Sequence, residues 1–172
     1  MQTNKLFFFI VLLLALAGCR TLLLSRVRIT ENAGIKTQDS SWTDFKLLVA
    51  QHYDSTGKIK QKVRDALGDN FVERNISLFP SGVDTLSGRV IAIGDVSGIS
   101  DAEDYEWLVY KMKKHALMKG ANLIASFNAS YYEEYTFWYY THLLSHAAHP
   151  EDVLKKVKCT GKAVYLIPAK TN

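Results

Sequence analysis

A chain of 172 residues is long enough for one domain with a real core. Hydrophobic residues make up 48% of it and charged residues 22%, and the net charge is only +4. That balance gives no case for a polyanionic partner.

The N-terminus carries one early cation, Lys5, and then an uninterrupted hydrocarbon run, LFFFIVLLLALA, from Leu6 to Ala17. Twelve residues as a helix span about 18 Å, short of the roughly 30 Å hydrocarbon core of a bilayer, so a spanning helix is not expected. A basic start, an apolar stretch of this size and small residues after it describe a secretory signal. Its end, Leu16-Ala17-Gly18-Cys19, resembles the bacterial lipobox. The resemblance implies diacylglycerol attached to Cys19 through a thioether, cleavage after Gly18 and acylation of the new amine. Two or three acyl chains then hold the chain to the membrane, where a single one is only marginal. Residues 1–18 are thus expected to be the signal peptide. With Cys19 taken by lipid, Cys159 is left as the only thiol, and it reads as a small buried residue.

Residues 19–41 are polar and basic around one apolar island, Leu22–Leu24. They are expected to form a tether, with Arg20, Arg26 and Arg28 either near anionic headgroups or incidental. Arg20 follows the lipidated cysteine where aspartate would favour inner-membrane retention, so the rules of lipoprotein sorting imply the outer membrane of a Gram-negative cell envelope.

The domain is expected over 42–172. FKLLVA (45–50) is a candidate strand. Ser55 or Thr56 caps a helix with Ile59, Val63 and Leu67 on one face. ISLF (76–79) reads as a short strand stopped by Pro80. RVIAIGDVSG is a β-branched run ending in a glycine turn. Ser100 and Glu103 fit a capping box, opening a helix with Tyr105, Leu108, Val109, Met112 and Ala116 as its apolar stripe. Lys111, Lys113, Lys114 and Lys119 read as a solvated face, with no nucleic-acid partner for an exported chain. Gly120 suits a left-handed cap.

After the cap, Leu123, Ala125, Phe127, Ala129 and Tyr131 alternate with Ser126, Asn128 and Ser130, the period of a half-buried strand running into an aromatic arm. Pro150 is placed to end one helix and start another over PEDVLKKV, and GKAVYLIP (161–168) closes the chain as a strand. The layout is β-α-β-β, a helix packed on one face of a small sheet, hence a single α+β domain.

Gly94, Val96, Gly98, Gly120, Ala121, Asn122, Gly161 and Ala163 follow a pattern similar to a group of small bacterial proteins. The group comprises the YbjQ-type heavy-metal-binding domains, a related family of small lipoproteins and the Rcs stress-sensor lipoprotein. The resemblance covers residues 76–168 and implies a fold more than an activity. The Rcs sensor's four-cysteine framework is absent, and 131–158 is longer and more aromatic than the pattern.

No enzyme is expected. GDVSG lacks the Gly-x-Ser-x-Gly spacing, no P-loop or dinucleotide fingerprint occurs, and Glu133 and Glu134, adjacent on a strand, point to opposite faces. The expected role is a binding module in the envelope with no required cofactor. Tyr135, Trp138 and Tyr139 are the candidate contacts for an envelope protein partner. The alternative is metal binding. His142, His146 and His149 share one face if helical and could hold zinc or copper, with Asp152 or Cys159 as a fourth ligand.

Overall fold

The computed structural model describes residues 26–32, 35, 39–54, 58, 71–80, 88–144, 149 and 152–167. Its first element, strand β1 (Arg26–Glu31), lies inside the segment expected to be a tether. Val27 and Ile29 alternate with Arg26, Arg28 and Thr30 there, and the two apolar residues pack against the core. The folded domain therefore begins well before Trp42.

Helix α1 (Ser40–His52) replaces the strand expected over 45–50. Asp39 decides the matter by accepting from the backbone N–H of Ser41 and Trp42, at 3.0 and 3.3 Å, which caps the first turn. Trp42, Phe45 and Val49 then face the core at helical spacing, while Leu47 stays exposed. The helix proposed after Ser55 or Thr56 lies almost wholly outside the described residues. A short helix, α2 (Phe71–Asn75), precedes β2 (Ser77–Leu78), a two-residue version of the strand expected at 76–79.

Strand β3 (Arg89–Asp101) runs straight through the glycines expected to turn it. Gly94 and Gly98 serve close approach instead. A Cβ on Gly94 would sit 2.2 Å from the Thr30 carbonyl oxygen of β1, and one on Gly98 would sit 2.6 Å from Leu108 Cδ1. Ser100 belongs to this strand, buried and opposite Val157, so it cannot form the expected capping box. A 3-10 turn over Ala102–Asp104 follows, without a side-chain cap, and leads into helix α3 (Tyr105–Met118).

The stripe of α3 is close to expectation: Leu108, Met112, Ala116 and Leu117 are buried, with Tyr105 packed at the edge. Its lysines are tied to neighbours. Lys113 pairs with Glu73 and Lys119 with Glu31, while Lys111 and Lys114 lie over the rings of Trp107 and Tyr53. The helix ends in a Schellman motif. Ala121 N–H donates to the Ala116 carbonyl and Gly120 N–H to that of Leu117, with Gly120 at φ +87°.

Strand β4 (Leu123–Tyr135) carries a bulge between Ala125 and Asn128, with Ser126 at φ 51°. One extra residue reverses the alternation, so the single face expected for Leu123 through Tyr131 is divided. Leu123 and Ala125 join Val164 in a small cluster with Phe79, Val90 and Leu166, whereas Phe127 and Ala129 pack against the main core. After helix α4 (Phe137–Leu144), strand β5 (Val153–Ile167) begins well before the expected 161. VLKKV is strand and not helix because it pairs with the far half of β4, from Tyr131 opposite Val157 to Tyr135 opposite Val153.

The strands form one sheet in the order β1-β3-β5-β4-β2, antiparallel except for β2 on β4. Residues of α1, α2 and α3 share one buried cluster with Val96, Val157, Cys159 and Ala163 of the sheet. The fold is α+β. Its other face is largely polar in the middle, where Ser97, Thr160 and Asn128 share one row.

Candidate interaction surface

The last five residue pairs of β4 and β5 lie at the end of the sheet where β3 stops, Asp101 being opposite Lys156. They form an arm, with α4 carried between its strands. Helix α4 reads FWYYTHLL, and none of its residues is buried. Its inner contacts are Tyr139 against Tyr135, with ring centroids 4.5 Å apart, and His142 against Asp152. On the outer side Phe137 is 75% exposed, Tyr140 56% and Leu144 85%. Positions i, i+3 and i+7 make these three a single helical stripe, with Trp138 and Leu143 beside it, each about half exposed.

The expected contact residues therefore divide. Tyr135 and Trp138 are on the surface, and Tyr139 is half-buried. The stripe itself was not singled out in the sequence, although Phe137, Tyr140 and Leu144 at three- and four-residue steps carry its signal. Glu133 beside Tyr135 pushes the phenol pKa up, and Tyr135 Oη donates to Glu133 Oε2 at 3.3 Å.

Of the histidines, His142 and His149 come together, with ring centroids 5.2 Å apart, edge to face. His142 Nδ1 lies 2.7 Å from Asp152 Oδ2, and the His149 backbone N–H donates to the same oxygen at 3.1 Å. These bonds hold the Asp152 carboxyl below its usual range, the His142 contact foremost. His146 lies outside the described residues. Among the described residues no group of three donors is arranged to hold a metal ion. Cys159 belongs elsewhere, fully buried opposite Gly98 and Ala129, its thiol pushed up to about 11 by burial. Asp152, not Cys159, is the side chain that joins the histidines.

A second cluster escaped the sequence. Lys156, read as part of a helix, is a buried cation of β5 with Nζ 2.7 Å from Asp101 Oδ1 and 3.9 Å from Glu134 Oε2. It ties the base of the arm to the end of β3. No helix among the described residues is long and apolar enough to cross a membrane. Cys19 lies outside them.

The chain has no match among protein-family models, and no significant match among characterised proteins or solved structures.

Proposed function

We propose that this chain is a lipoprotein of a Gram-negative envelope, anchored by acyl chains on Cys19 in the outer membrane, whose α+β domain is a non-enzymatic binding module. The observation that carries the reading is the sequence Leu16-Ala17-Gly18-Cys19 at the end of an apolar run too short to span a bilayer. The pattern shared with the YbjQ-type group and the Rcs stress-sensor lipoprotein supports a binding module over an enzyme, because its residues here work on the fold. Gly120 and Ala121 close α3, and Asn122 bonds both backbone groups of Leu166. The exposed aromatic arm is the surface such a module offers. Replacing Cys19 by Ala is expected to abolish acylation and to leave the protein as a soluble or an uncleaved form. A variant that is still cleaved and still partitions with the membrane overturns the reading.

The His142–Asp152 bond favours one second reading, a metal-binding module. A carboxylate on Nδ1 fixes the orientation and tautomer of an imidazole, as is common for histidines that ligate metals. His149 stands beside it, and His146 would be the third ligand. Zinc or copper would then raise the melting temperature at neutral pH. A melting curve indifferent to both metals removes this reading.

A further inference from the structure

We infer that α4 rests on the same bilayer that holds the acylated Cys19, with the Phe137–Tyr140–Leu144 stripe seated where headgroups meet acyl chains. The inference rests on the lipid-anchor reading and names the partner of the aromatic arm: a lipid surface.

Two observations point there. The first is the chemistry of the stripe. Phenylalanine, tyrosine and leucine are presented outward together, with Trp138 and Leu143 flanking, while the inward side chains of α4 are engaged with Tyr135 and Asp152. Aromatic and aliphatic residues on one face of a short surface helix suit the bilayer interface, where tryptophan and tyrosine rings accumulate.

The second is position. Arg26 opens β1 in the cross-strand row that also holds Ile99, Lys158 and Ser130. The arm begins one pair past that row, and β3 accompanies it as far as Lys156. The chain from Cys19 thus enters the domain at the end from which α4 projects. Five further residue pairs carry the arm about 17 Å beyond the row at roughly 3.4 Å per residue. Six residues lie between Cys19 and Arg26, which makes seven residue-to-residue steps. Extended, they reach about 24 Å. The anchor can therefore stand level with α4, and both can meet one membrane plane.

The test uses the acylated full-length gene product, purified from membranes and reconstituted into phosphatidylethanolamine–phosphatidylglycerol vesicles containing phospholipids brominated along the acyl chains. Trp107→Phe leaves Trp138 and the buried Trp42 as reporters. The expected result is a blue-shifted emission with loss of intensity from the brominated lipid. That loss should disappear in Trp138→Phe and shrink when Phe137 and Leu144 are both replaced by Ser. An acylated protein that floats with the vesicles while Trp138 is untouched by the bromines overturns the inference and leaves the anchor standing. So does cross-linking of α4 between two copies with Trp138 shielded from lipid. A protein that carries no acyl chain and does not float contradicts the anchor instead, and intact mass on the same sample separates the two failures.

Discussion

At the residue scale, two side chains tell most about how the fold is held. Met112 is fully buried under α3, so Met112→Asp places an unpaired carboxylate in the core. The expected loss exceeds about 3 kcal/mol, against less than about 0.5 kcal/mol for Ala at the exposed Glu106 on the same helix. Denaturant midpoints of the two variants check the assignment of faces. Lys113 cannot serve as the neutral control, because its pair with Glu73 joins α3 to α2. Asp152 has the opposite character. Its carboxyl is held low in the folded chain by His142 and by the His149 backbone, so the folded chain binds fewer protons there than the unfolded chain does. The stabilisation is complete above about pH 4 and is lost as the pH falls through the lowered value. Acid titration followed by Trp138 fluorescence is expected to show the arm loosening in that range. Asp152→Asn should weaken the arm at neutral pH and flatten the acid response.

At the level of elements, what the sequence reveals depends on whether a local signal meets competition. The stripe of α3 was legible because its apolar positions repeat over four turns and Gly120 closes it. Phe45 to Ala50 looks like a strand when taken without Asp39, whose side chain supplies the cap of helix α1. The two glycines of β3 look like turn residues. Each is instead required by a partner distant in sequence, Thr30 or Leu108, and no local pattern reports that. The bulge at Ser126 is invisible for the same reason: Phe127 N–H donates to Phe79 O across a crossover, and period-two counting passes over it. Gly94→Ala tests the close approach of β1. A methyl 2.2 Å from a backbone oxygen cannot be absorbed by a side-chain rotation, so β1 must move off β3. Hydrogen exchange at the β1 amides is expected to speed up in this variant, while the amides of the β4–β5 ladder keep their protection.

For the whole molecule, the sequence told fold class, helix and closing strand, but placed the domain boundary too late and missed the length of the arm. Both errors have one origin. β1 is polar with only Val27 and Ile29 half-buried, the first half of β5 carries Lys155, Lys156 and Lys158, and both become strands by pairing with Gly94–Ile99 and Tyr131–Tyr135. Tertiary pairing decides such segments, since their intrinsic preference is weak. The candidate surface is legible as a cluster of aromatic letters, and its stripe as three- and four-residue steps; which side of α4 faces outward, and the Asp152 bond between the histidines, follow only from the packing of the arm. The same sheet brings the start of β1 and the aromatic arm to one end, which makes the state of Cys19 the fact on which the functional account turns. Intact mass of the protein purified from membranes measures it most directly. A chain that begins at Cys19 and carries the added mass of a diacylglycerol and an N-acyl group is the expected result. A chain that keeps residues 1–18, or begins elsewhere without acyl mass, contradicts it.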